Sequence, residues 1–102
     1  MAAEVAEKIA LEAGQYLFHE GESGDRAYLV ASGRIEISKK AEDDVVVLAV
    51  VGRGEFVGEM ALVDDFPRMA SARAIEPTAL VVVTRDSFTR KVSSLDHVGQ
   101  HL

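Results

Sequence analysis

The feature that most constrains this chain is its punctuation. From Gly14 to Thr84, short apolar or alternating runs of strand length are separated by Gly14, Gly21, Gly24-Asp25, Ser32-Gly33, Gly52-Arg53-Gly54, Gly58 and Pro77. These residue types tolerate reversed backbone angles or interrupt regular structure. About eight short strands, with no long helix in the middle of the chain, indicate a mainly β architecture closed or nearly closed on itself, a roll or a sandwich.

Within that frame the runs differ. Tyr16-Leu17-Phe18 is a short strand, and Gly21 to Gly33 reads as turn, strand, turn. Arg34 to Lys40 alternates, with Ile35 and Ile37 on one face and Arg34, Glu36 and Ser38 on the other, the pattern of a half-buried antiparallel strand. Lys39 to Asp44 is read as a charged, solvated hairpin loop. Val45 to Val51 is a continuous apolar run rich in β-branched residues, which predicts a central strand buried on both faces. Ser71–Ile75 and Ala79–Thr84 supply two more strands. At the start, Met1 to Leu11 favours a short helix by propensity. The tail, residues 85–102, places Phe88, Val92, Leu95 and Val98 at helical spacing behind Asp86 or Ser87 as N-caps. One or two short helices are expected to pack that stripe on the β-roll.

Length and composition narrow the function. At 102 residues the chain forms one domain, a roll over about residues 8–84 and a helical tail, and it has no cysteine. Disulfides, thiol catalysis and thiolate metal sites are therefore excluded. A formal charge of −6 argues against a nucleic-acid-binding face, which would be basic. No apolar run reaches membrane-spanning length and the N-terminus lacks the pattern of a signal peptide, so a cytoplasmic protein is the default expectation. His19 beside a glycine turn reads as a solvent-facing polar residue. His97 and His101 share a helical face but lack the glutamate of an HExxH motif, and no metal site is expected.

The chemistry concentrates in Phe56-Val57-Gly58-Glu59-Met60-Ala61-Leu62 and Pro67-Arg68-Met69-Ala70-Ser71. One helical turn opening at Gly58 presents N–H groups to an anion. Pro67 stiffens the chain ahead of Arg68, whose planar guanidinium suits a phosphate. Glu59 repels a phosphate but accepts a hydrogen bond from a hydroxyl. Small side chains at Ala61, Ala70 and Ala72 let a ligand approach the main chain. A molecule carrying both a phosphate and a sugar hydroxyl would use both charges.

Gly58-Glu59-Met60-Ala61-Leu62, a five-residue gap, and Arg68-Met69-Ala70-Ser71-Ala72-Arg73-Ala74 resemble the phosphate-binding cassette of cyclic nucleotide-binding domains. Gly21 to Gly33 resembles that family's upstream signature of two glycine turns around an apolar strand. The resemblance covers roughly residues 9–92. It implies a jelly-roll order of strands with a short cassette helix and short terminal helices, and it draws Lys8–Glu12 into the first strand. It also assigns roles: Glu59 to the ribose 2′-hydroxyl with help from the Gly58 backbone, Arg68 to the exocyclic phosphate oxygens, and the main chain at Ala61 and Ala70 to the rest of the phosphate shell. Met60 and Met69 complete the ligand-binding stretch.

Three positions depart from the family pattern. Met69 stands where the family usually has alanine, serine or threonine; it offers no hydroxyl to guanine, which favours cyclic AMP over cyclic GMP, and its bulk crowds the phosphate side. Asp64 and Asp65 are placed to orient Arg68 or to compete for its charge. The expected tail helix is shorter than the lid usual in the family, with no aromatic residue after Phe88. The resemblance implies signalling in which Leu62 releases or recruits the tail, through an output domain, a protein partner or a homodimer. An excerpt of a longer regulator or channel and a small stand-alone protein both fit. The leading expectation is a non-catalytic cyclic-nucleotide-binding regulatory module. The alternative is a nucleotide-free β-roll interaction module with a degenerate pocket and the tail stripe as its docking face. A metal enzyme lacks clustered histidines, and no serine stands in a nucleophile motif.

Overall fold

Side-chain alternation decides which face of each strand is buried, and β8 shows it best: Thr78, Leu80 and Val82 point inward while Ala79, Val81 and Val83 are partly covered. The computed structural model describes residues 7–62 and 67–84. It contains β1 (Lys8–Leu11), β2 (Tyr16–Phe18), β3 (Arg26–Ser32), β4 (Arg34–Ala41), β5 (Asp44–Gly52), β6 (Phe56–Val57), a single 3-10 turn (Glu59–Leu62), β7 (Ser71–Ala74) and β8 (Thr78–Thr84). All pairings are antiparallel. They build two four-stranded sheets, ordered β1-β8-β3-β6 and β2-β7-β4-β5.

The core lies between the sheets. Tyr28 and Val30 of β3, Val57 of β6 and Leu80 and Val82 of β8 meet Ile35 of β4 and Ala72 and Ala74 of β7. Ala72 and Ala74 are fully buried; their small side chains leave room for Ile35, Val30 and Leu80, the largest fully enclosed residues. Burying each of those three contributes on the order of 1.5–3 kcal/mol. This is the mainly β roll that the glycine punctuation indicates.

Four local expectations change. The N-terminal run is strand from Lys8 to Leu11, paired with β8 from Val81 to Thr78, so tertiary pairing overrides helix propensity where the chain is described. Val45 to Val51 is not a central strand. Among the described residues β5 pairs only with β4 and forms the edge of its sheet, leaving Val45, Val46, Val47, Leu48 and Val50 between 46% and 63% exposed. A β-branched run specifies an extended backbone, whereas burial depends on neighbours that the run does not encode. Ser38 is buried rather than outward, at 6% exposed; the register shift beside it skips Leu48 of β5, while β4 stays in register with β7. Finally, Lys39 to Ala41 belong to β4, and the hairpin turn is only Glu42-Asp43 with Glu42 in the left-handed region at φ 54°. The helices expected in the tail, with His97 and His101, fall outside the described residues.

Candidate functional site

The site is assembled from β2, β4, β5 and β6, the 3-10 turn and the loop before β7, with β3 holding β6 in place. The turn after β5 is closed by the Glu55 carboxylate, which accepts the Gly52 N–H at 2.6 Å, and by the Glu55 N–H donating to the Gly52 carbonyl at 3.0 Å. Gly54 and Glu55 are tied to β3 by the Gly54 N–H to the Val30 carbonyl, 2.8 Å, and the Val30 N–H to the Glu55 carbonyl, 3.0 Å. β6 therefore leaves the sheet in a fixed direction. Gly58 follows at φ 75°, a conformation open to glycine at little cost, and the 3-10 turn begins. Leu62, 4% exposed, anchors the end of that turn.

Arg68 is held twice. Its backbone N–H donates to the Glu22 carbonyl at 2.8 Å, and its carbonyl accepts the Gly21 N–H at 2.7 Å. These two bonds fasten the loop before β7 to the turn before β3. The side chain is 8% exposed. Nη2 donates to the Arg26 carbonyl at 2.9 Å and Nη1 to the Gly58 carbonyl at 3.3 Å. The guanidinium lies 4.2 Å from the Phe18 ring centroid, within range of a cation–π attraction. Two glycines make the space: a Cβ at Gly24 or at Gly58 would collide with the guanidinium. Gly24 was expected to supply a reversed backbone angle, yet it is not among the glycines with positive φ. Its role is close approach.

The electrostatic state of Arg68 is unusual. It is paired with two neutral carbonyls, its Nε is buried without a hydrogen-bond partner, and among the described residues it forms no ion pair. A buried cation lacking a counter-charge is costly, and an anion beside it offsets that cost.

Arg68 opens on a cavity of about 390 Å³, within the range of small-molecule sites. Phe18, Ile37, Val51, Phe56 and Val57 form an apolar wall, and Glu59 and Arg68 provide opposite charges. Gly58, Glu59, Met60, Arg68, Met69 and Ala70, all singled out from sequence, line this one cavity. Ala61 lies in the 3-10 turn, and its side chain is not described. Glu59 is exposed and makes no ion pair with Arg68. Met69 and Met60 are 65% and 54% exposed, at the rim. Asp64 and Asp65 fall outside the described residues. His19 is exposed; it stacks on Tyr16 at 4.3 Å and lies 3.8 Å from the Glu22 carboxylate.

Of the apolar wall, Phe56 and Val57 lie in the stretch singled out from sequence, whereas Phe18, Ile37 and Val51 were not identified as part of the site. Phe18, Ile37, Val51 and Phe56 come from β2, β4, β5 and β6, and no local pattern joins them. The available signal was partial: Val51 ends an apolar run at the Gly52 turn, whereas Ile37 lies in the middle of β4.

Comparisons with known proteins converge. A family model described as the cyclic nucleotide-binding domain matches residues 8–94. The chain is 38% identical over 92 residues to a cAMP-dependent protein kinase regulatory subunit of Yarrowia lipolytica, a match covering 89% of this chain and 24% of the relative. It is 39% identical over 89 residues to a cGMP-dependent protein kinase of Eimeria tenella, covering 87% and 8% respectively. The crystal structure of Thermus thermophilus catabolite activator protein superimposes with a TM-score of 0.83 at 32% identity, covering 93% of this chain and 45% of that one. The chain thus spans less than half the length of each of these three proteins.

Proposed function

This chain belongs to the cyclic nucleotide-binding domain family, and from that premise we propose that it captures cyclic AMP in the Arg68 cavity and acts as a regulatory module without catalysis. The observation that carries the reading is the buried Arg68 guanidinium, unpaired with any carboxylate among the described residues and facing a cavity that Glu59 also lines. The cyclic phosphate sets a negative charge beside the Arg68 guanidinium, where the cavity meets it. Glu59, exposed on the same cavity, accepts from the ribose 2′-hydroxyl. The base lies against the apolar wall and between the rim methionines, Met60 and Met69, whose thioethers adapt to an aromatic face. Met69 has no hydroxyl to offer guanine, which favours cyclic AMP. Transmission runs from Leu62 through the tail to an output domain, a protein partner or a second copy.

Thermal unfolding with cyclic AMP, cyclic GMP and 5′-AMP tests this on the wild type and on Arg68→Ala. A ligand at about a hundred times its dissociation constant adds about 2.7 kcal/mol. For a domain of this size that raises the midpoint by roughly 10 °C. We expect the largest rise with cyclic AMP and none in the variant. Equal rises in both proteins would refute the assignment of Arg68.

A second reading has one observation on its side. The exposed apolar edge of β5 suits a nucleotide-free interaction module. Cooperative unfolding unaffected by either cyclic nucleotide would favour it.

A further inference from the structure

We propose that Glu20 and Lys39 form a latch that positions the Arg68–Met69–Ala70 side of the cavity and so sets its affinity for an anionic ligand; the inference rests on the pocket reading given above. Residues 67–70 belong to no strand, and their place depends on point contacts. The Arg68 backbone ladder to Gly21 and Glu22 is one such contact. The Arg68 side chain supplies more, and a further contact is made by Glu20 and Lys39.

The register of the sheet explains the reach of Lys39. β4 pairs with β7 through Ser38 and Ser71, so the next residue of β4 stands beside the loop that leads into β7. From there Lys39 Nζ donates to the Met69 carbonyl at 3.0 Å. A lysine chain is flexible, and its ammonium is held at this point by Glu20 Oε2 at 3.2 Å. Glu20 is itself fixed on two sides. Its Oε1 accepts the Lys40 N–H at 2.9 Å, and its own N–H donates to Ser71 Oγ at 2.9 Å. The Lys40 N–H and then the Lys39 ammonium lower the Glu20 carboxyl from its ordinary value. The chain of contacts thus runs from the end of β2, through two residues of β4, to the carbonyl between Arg68 and Ala70.

An exposed ion pair as such contributes little to stability. What distinguishes this one is its third member, a backbone carbonyl flanked by two residues that line the cavity. Glu20 and Lys39 do not line the cavity themselves. They are positioning residues, and their loss should be read in affinity rather than in stability.

The experiment compares the wild type with Lys39→Met, Glu20→Gln, the double variant and Lys39→Arg. It measures titration calorimetry with cyclic AMP, the unfolding midpoint without nucleotide, and the Met69 carbonyl carbon resonance without nucleotide. Each single substitution is expected to raise Kd about fivefold, the size of one ordinary hydrogen bond. The double variant should be no worse than the weaker single, because the two groups act in series. The midpoint should stay within about 2 °C, and Lys39→Arg should restore binding. Single variants that bind within about twofold of the wild type, or a loss of affinity matched by a fallen midpoint, would overturn the latch. If the wild type binds no cyclic nucleotide, the pocket reading falls alone and the Met69 resonance decides: displaced in both single variants, the latch stands; unmoved, it does not.

Discussion

At the scale of single residues, the site depends on side chains that are absent as much as on those present. Gly58 combines φ 75° with a Cβ position 2.5 Å from Arg68 Nη1 and 3.2 Å from the Phe18 ring. Gly24 has the clash without the positive φ. We expect Gly58→Ala to cost about 1–3 kcal/mol of stability through backbone strain and the displaced guanidinium. Gly24→Ala should cost less stability and still abolish most nucleotide affinity. Urea unfolding with parallel calorimetry separates the two effects; full affinity in Gly24→Ala would mean that Arg68 has another productive position. Glu59 and Arg68 were legible in the sequence because charged residues among small ones stand out within a few positions. The reason Arg68 is buried was not, because Phe18, Gly24, Arg26 and Gly58 reach it from separate parts of the chain.

At the scale of elements, β5 and β8 form an instructive pair. Both are runs of β-branched and aliphatic residues, and the sequence distinguishes them poorly. β8 lies between β1 and β3, whereas β5 lies at an edge. Leu80 is fully buried and Val47 is 53% exposed. Leu80→Ala is therefore expected to cost about 2–5 kcal/mol, and Val47→Lys to stay within about 0.5 kcal/mol. Chemical denaturation checks both, and a large loss in Val47→Lys would show that β5 is covered in solution. The register shift at Leu48 of β5 belongs to this scale too. Alternation along β4 was legible; the burial of Ser38 was not, because it depends on the neighbours the sheet brings to it.

At the scale of the molecule, stability is spread unevenly. β3 is hydrogen-bonded on both sides, to β8 and to β6, while β5 is bonded to β4 alone among the described residues. Native-state hydrogen exchange should show the Tyr28, Val30 and Val82 amides exchanging only through global unfolding. The β5 amides that face away from β4 should exchange orders of magnitude faster. Equal protection throughout β5 would point to a partner strand along its edge.

The sequence by itself determined the material of this protein. Glycine spacing set the strand lengths, alternation marked inward faces in β8 and part of β4, and the Gly58–Ala74 stretch carried its charged groups in a recognisable order. These properties are local, since backbone preference and side-chain chemistry act within a few residues. Only the tertiary structure decided which apolar run became core and which became edge, and which residues walled the cavity. It also decided that Arg68 rests on carbonyls and an aromatic ring rather than on Glu59. Those outcomes depend on pairing between strands distant in sequence, such as β1 with β8 and β4 with β7, and burial is a property of such neighbours rather than of the run that is buried.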